Sequence, residues 1–147
     1  MDKKNKKIPK KYVPSSLTKA DREKQIKSIK EQKARPKLKS FKSQRSSHVI
    51  NFEKKYKTKI TNKKFINDNL LSYEGQKQVI KKGMAAYYTG GSRPNQTKES
   101  WSLARLASAL LKKGAFKVDK DIFAKYGKGD LKESALKLLK TKTNKNE

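Results

Sequence analysis

Thr97-Lys98-Glu99-Ser100-Trp101-Ser102-Leu103-Ala104-Arg105-Leu106-Ala107-Ser108-Ala109-Leu110-Leu111-Lys112-Lys113-Gly114 is the stretch whose reading decides the fold. Thr97 is a good N-cap, because its hydroxyl can accept from a first-turn N–H that has no partner inside the helix. Leu103, Leu106, Ala107 and Leu110 recur at three- and four-residue spacing, so they share one helix face. Gly114 supplies the stop. The spacing predicts a helix over about 98–113, with Trp101 and the leucine face at the centre of a core.

The same period recurs on both sides. Ser46 or Ser47 caps a helix with Val49, Phe52 and Tyr56, and Ile50 beside them. Thr61 caps a second with Phe65, Ile66, Leu70 and Leu71. Ser72 caps a third with Tyr73, Val79 and Ile80, which is expected to stop at Gly83. Downstream, Asp119 or Asp121 caps a short helix bearing Ile122, Phe123 and Tyr126, ended by Gly127. Asp130 with Glu133 makes a capping box for a last helix with Leu131, Ala135, Leu138 and Leu139. Met84–Tyr88 and Phe116–Val118 break the helical pattern and read as two short extended pieces that can pair. The expected fold is mainly α: a small helical domain with room for one short two-stranded element, preceded by an extended basic N-terminal arm. The arm is placed at 1–45, the helical body at 46–140, and a frayed tail at 141–147.

That arm follows from the charge. The 147 residues carry 40 Lys+Arg against 13 Asp+Glu, a net of +27. Residues 1–45 hold 17 against 4, a net of +13, and the remaining residues hold 23 against 9, a net of +14. Self-repulsion on this scale disfavours compaction, so a polyanionic partner is expected to share the load. Apolar residues are sparse before Val49, so the arm is expected to depend on a partner for order. Within it Thr18, with Asp21, caps a helix of about Lys19–Lys33, whose stripe of Ala20, Ile26, Ile29 and Ala34 is too thin to stand alone. It is expected to lie on a partner or on the body through Ile26 and Ile29. Pro36 keeps Arg35 out of the helical region. From there Lys33, Arg35, Lys37 and Lys39 alternate with Ala34, Pro36 and Leu38, and Lys42 and Arg45 extend the charge around Phe41. In an extended chain alternate side chains stand roughly 6–7 Å apart on one side, of the order of successive phosphates on one strand. A solvated linker without a fixed pose is the other reading of the same run.

Between Gly83 and the capped helix lies Met84-Ala85-Ala86-Tyr87-Tyr88-Thr89-Gly90-Gly91-Ser92-Arg93-Pro94-Asn95-Gln96-Thr97. Gly90 and Gly91 permit a close backbone approach. Ser92, Arg93 and Thr97 lead into a helix N-terminus, and free amides, a helix dipole and an arginine together make a candidate anion site. It is no P-loop, since the Gly-Lys-Ser/Thr ending is missing. The competing reading is a plain loop in which Pro94 and Asn95 turn the chain and Thr97 caps. Tyr87 and Tyr88 are candidates for stacking on bases, or for the core.

Lys82-Gly83, Ala86-Tyr87-Tyr88, Gly91-Ser92-Arg93-Pro94-Asn95-Gln96-Thr97, Ser100-Trp101 and Ala104-Arg105-Leu106-Ala107-Ser108 resemble a small family of basic proteins encoded by large double-stranded DNA viruses of algae and protists. Upstream, Lys11-Tyr12-Val13-Pro14, Arg35-Pro36-Lys37, Ser40-Phe41-Lys42-Ser43 and Phe52-Glu53-Lys54-Lys55-Tyr56 continue the resemblance, and Lys117-Val118-Asp119 extends it downstream, over about 11–126. That family has no established activity to carry over. The resemblance implies a viral setting: a location in the virion, or in host cytoplasm or a viral factory during assembly. It also makes the basic arm part of the protein's own pattern.

The remaining residues narrow the function classes. No cysteine is present, which excludes disulfides and thiolate metal sites. Met1-Asp2-Lys3-Lys4 is not followed by an apolar run, so no secretory signal is expected, and no stretch approaches the ~20 apolar residues of a membrane span. His48 is the lone histidine and the acids are scattered on caps and faces, so no catalytic residues, metal or cofactor are expected, nor a small-molecule substrate. A nucleic-acid partner, double-stranded DNA first, accounts for the charge through phosphate contacts with little sequence preference. The sites expected to make them are Lys33, Arg35, Lys37, Lys39, Lys42, Arg45, Gly90, Gly91, Ser92, Arg93 and Thr97. Viral capsid proteins with acidic surfaces are the alternative partner, for a minor capsid or cement role.

Overall fold

The leucine face of the capped helix is where the larger hydrophobic core forms. The computed structural model describes residues 8–42 and 45–145, with side chains to Lys140. Among them the chain is mainly helical. Lys19–Lys30 (α1), Ser47–Tyr56 (α2), Lys63–Asn69 (α3), Tyr73–Gly90 (α4), Lys98–Leu110 (α5), Gly114–Val118 (α6), Lys120–Tyr126 (α7) and Gly129–Lys145 (α8) follow a 3-10 turn at Lys10–Tyr12. The chain folds as two compact units. One joins the described residues of the first 44 positions with Met84–Trp101; the other joins Arg45–Gly83 with Ser102 onward. The units divide between positions 44 and 45, and residues 84–101 fall with the N-terminal residues rather than with the expected body of 46–140.

In the second unit Phe52, Ile66, Leu71, Val79, Leu106, Leu110, Phe116, Phe123, Leu131 and Ala135 make the core. Leu106 and Leu110 are 2% and 1% exposed, as the periodicity requires, and Leu103 packs against them half-buried. Trp101 does not join them. At about 100° per residue it stands about 160° around the helix from Leu103, and it belongs to the other unit. The carboxylate of Asp119, fully buried, accepts from Arg105 Nε at 3.2 Å and Nη2 at 2.9 Å and pairs with Lys82 Nζ at 2.7 Å. Asp119 holds the N-cap position of α7 yet makes no side-chain cap bond, because Arg105 and Lys82 claim its oxygens. Asn62, not Thr61, caps α3, with its Oδ1 accepting from the Phe65 N–H.

The two-stranded element expected from Met84–Tyr88 and Phe116–Val118 is not formed. Both segments are helical, in α4 and α6. Among the described residues the sheet geometry is one isolated antiparallel bridge, Leu71 with Gly127. The cause lies at Gly83, read as a helix stop. A Cβ there would meet Ser102 Cα and Cβ at 2.8 Å, so this glycine lets α4 cross α5 closely and the helix continues to Gly90. Other ends also differ from the pattern. Helix α1 stops at Lys30 because Gln32 turns left-handed and the Lys33 N–H donates back to Ser28 O. Lys112 plays the same part after α5, with the Lys113 N–H on Ser108 O. At the other terminus α8 runs through Lys145 where fraying was expected from 141; residues 146 and 147 lie outside the described residues.

Two glycines in one helix should respond oppositely to alanine. Gly83→Ala gains up to ~1 kcal/mol of helix propensity but must displace backbone at Ser102, an overlap of the kind that costs about 1–3 kcal/mol. Gly90 faces nothing within 4 Å. In urea denaturation Gly83→Ala should lower the unfolding midpoint, while Gly90→Ala should leave it unchanged or raise it.

Candidate nucleic-acid interface

The first unit is built around a polar core, and its geometry explains the residues between Gly90 and Thr97. Tyr87, 1% exposed, places its hydroxyl between two backbones. It accepts from the Arg35 N–H at 2.7 Å and donates to Gln96 O at 2.7 Å. Asn95 adopts a left-handed conformation (φ 62°), which asparagine tolerates better than most residues. Its side-chain amide pairs with Leu38 as a strand neighbour would. Oδ1 accepts from the Leu38 N–H at 2.7 Å, and Nδ2 donates to Leu38 O at 3.3 Å and to Phe41 O at 3.2 Å. Asp21, on α1, accepts from the Ser40 N–H at 3.0 Å and its hydroxyl at 2.5 Å. These bonds hold Ser40 to the helix and keep the Asp21 carboxyl below its ordinary value. The basic segment 33–42 is thus fastened at Arg35, Leu38 and Ser40 from within the chain.

This fastening sorts the expected contact residues. Lys33, Lys37, Lys39 and Lys42 are exposed, and Leu38 between them is 2% exposed, so the alternation holds over 37–39. Lys33 pairs loosely with Glu31 at 3.4 Å, both in solvent. Arg35 departs from the expected row. It is 8% exposed, with its guanidinium 4.7 Å from the Tyr87 ring centre and Nη2 on the Ser28 and Lys33 carbonyls. Nε and Nη1 have no hydrogen-bond acceptor among the described residues. Burial pushes its pKa down, against the Tyr87 and Tyr88 rings that favour the cation. A cation over an aromatic face in a dry site is stabilised by about 2 kcal/mol or more, so Arg35 acts inward. Arg45 is exposed and belongs to the second unit, where it pairs with Glu53 at 3.0 Å. Ser43 and Gln44 lie outside the described residues.

The glycine loop is not an open cradle. Gly90 is the exposed last residue of α4, and Gly91 is buried with φ at +84°. A Cβ at Gly91 would stand 3.1 Å from Ile29 Cγ2 and 3.4 Å from Tyr12 Cδ2, so the loop lies directly under α1 and the 3-10 turn. Ser92 is fully buried, and its hydroxyl donates to Arg93 O. Thr97 Oγ1 accepts from the Ser100 N–H at 3.0 Å, and Ser100 Oγ accepts from the Thr97 N–H at 3.0 Å, a reciprocal cap that employs both groups. Of the five loop residues expected to bind an anion, Arg93 alone presents a cationic side chain to solvent.

Arg93 does have neighbours that the sequence reading passed over. Gln25, fully buried on α1, donates one amide nitrogen to Tyr12 O at 2.9 Å and to Ser92 O at 3.0 Å. That clamp sets the Tyr12 turn against the Arg93 loop. Tyr12 then meets Trp101 edge to face, with ring centres 5.7 Å apart. Lys11 Nζ stands 5.6 Å from the Tyr12 ring centre. Burial raises the Tyr12 hydroxyl above its ordinary value, and the Arg93 charge opposes that rise. Both rings are half-buried and both cations exposed. Of the tyrosines read as candidates for stacking, Tyr87 is core and Tyr88 half-buried, edge-on to Tyr87. The angular separation of Trp101 from the leucine face was the available signal for the Trp101 patch.

Among the described residues no group of three or more His, Cys, Asp or Glu is placed to hold a metal ion, and no helix is long and apolar enough to cross a membrane. The fold and these surfaces define a strongly basic, mainly helical protein whose first unit displays lysines and an aromatic–cationic patch. The chain belongs to a family of unknown function (DUF5824), whose pattern spans residues 9–126. No curated protein and no solved structure matches it significantly.

The Asp21–Ser40 contact gives a pH test. Since the folded pKa is depressed, its contribution is complete above the ordinary value of 3.8 and is lost as pH falls through the lower folded value. The Ser40 amide should lose exchange protection in that acid window, measured by NMR. Asp21→Ala should show the unprotected amide at neutral pH, with no further acid step there.

Proposed function

We propose that this protein is a non-enzymatic polyanion-binding component of a virion, which holds packaged double-stranded DNA through phosphate contacts with little sequence preference. The observation that carries the reading is the pose of the basic segment. Lys37, Lys39 and Lys42 are exposed on backbone fastened by Tyr87, Asn95 and Asp21, within a chain of net charge +27. Cations already held in place lose less conformational freedom on binding than cations on a free tail. Each phosphate they neutralise releases condensed counterions, which drives association at low salt. Much of the scarce acidic charge is engaged within the chain. Asp21 is on Ser40, Glu53 on Arg45, Asp68 on Lys64, Asp119 on Arg105 and Lys82, and Asp130 on Lys112. The viral setting rests on the resemblance described above.

A salt titration of duplex binding tests this. Replacing Lys33, Lys37, Lys39 and Lys42 together by alanine should flatten the slope of log affinity against log salt by up to about 3 to 4. Arg35→Ala should act differently, lowering the stability of the first unit, because its side chain is interior. Absence of duplex binding by the wild type at low salt would overturn the proposal and favour a capsid role on acidic subunits.

A further inference from the structure

The Tyr12–Trp101 pair sits in the unit that carries the basic segment and is not among the residues of the leucine core. From this placement we infer that it is a stacking platform for an unpaired base, so that the protein engages single-stranded nucleic acid in a way it does not engage duplex. The inference deepens the polyanion reading and rests on it.

Four features make the platform. The two rings are half-buried and meet edge to face at 5.7 Å with an interplanar angle of 81°, so their planes stand nearly perpendicular. Lys11, whose Nζ stands 5.6 Å from the Tyr12 ring centre, and Arg93, next to the Ser92 that Gln25 ties to Tyr12, are both exposed and put cations beside the ring pair. The arrangement is rigid. Pro9 O and Lys10 O accept from the Tyr12 and Val13 N–H groups to close the turn, Gln25 ties Tyr12 to Ser92, and Gly91 lets the two segments touch. Finally, Glu99, in the first turn of α5, leaves the helix about 200° from Trp101 at ~100° per residue, so the ring is on the side away from that carboxylate. Aromatic faces flanked by cations bind single strands with little regard to sequence, since every base has a π-face. In a duplex those faces are already stacked on one another and are withheld.

Trp101 is the sole tryptophan of the chain, so it reports on its own site. The test compares Trp101 emission of the full-length protein on addition of oligothymidine, a duplex of equal length, and inorganic polyphosphate. Binding is followed in parallel by light scattering or sedimentation. Oligothymidine should quench Trp101 strongly, and duplex and polyphosphate should bind while leaving its emission nearly unchanged. Tyr12→Leu, which keeps the reporter, should reduce the quench. Trp101→Leu should lower the preference for oligothymidine over polyphosphate about tenfold, the size expected for one lost stack. Trp101→Phe should restore most of that preference, which a general loss of folding would not allow. Equal quenching by oligothymidine and polyphosphate would overturn the platform and leave phosphate binding intact. If none of the three polyanions binds, both the platform and the polyanion reading fall.

Discussion

The Tyr87 hydroxyl is the interaction on which the first unit depends. It is buried, it has one donor and one acceptor function, and both are used on backbone: the Arg35 N–H on one side and Gln96 O on the other. Removing the hydroxyl would leave the buried Arg35 N–H without its acceptor, which costs about 1–3 kcal/mol. The same ring carries the Arg35 guanidinium on its face. One residue near the end of α4 thus fixes the course of a segment fifty residues earlier in the chain. Asn95 repeats the device at Leu38, three residues past Arg35, with an amide that answers both the N–H and the C=O of a single residue.

This arrangement reconciles high charge with a folded N-terminal segment. Residues that face inward between 8 and 42 are apolar or uncharged, namely Leu17, Gln25, Ser28, Ile29 and Leu38, and Arg35 is the exception that an aromatic face makes tolerable. Lysines take the outward positions. Self-repulsion among them persists, and an anionic partner would relieve it. The buried hydrogen bonds set the pose, and the surface charge sets what the pose attracts. The aromatic pair at Tyr12 and Trp101 adds a contact that charge alone does not provide.

Much of the helical architecture was legible from apolar period and caps. Thr18, Ser46, Ser72 and Thr97 accept from first-turn amides as their positions suggest, and Leu106 and Leu110 are buried as their spacing requires. Failures came where a residue's role is set by a distant partner. Gly83 reads as a stop because the proximity of Ser102 is invisible in one dimension. Arg35 reads as one more outward cation because the Tyr87 ring lies 52 positions away. Ser92-Arg93-Pro94-Asn95 reads as a loop open to anions because nothing local reveals that α1 and the Leu38 segment cover it. Trp101 is a different case: its helical angle was available, and grouping it with the nearest leucines obscured it.

Native-state hydrogen exchange in the wild type and in Tyr87→Phe is the most direct test of the central claim, that Tyr87 folds the basic segment into a unit of its own. In the wild type the Arg35 and Leu38 amides should be protected, since both donate to side chains of the Met84–Trp101 segment. In Tyr87→Phe the Arg35 amide should lose its protection, while amides of the Leu106–Leu110 turn keep theirs. Free exchange of Arg35 and Leu38 in the wild type, or protection of Arg35 unchanged by removal of the hydroxyl, would contradict the account.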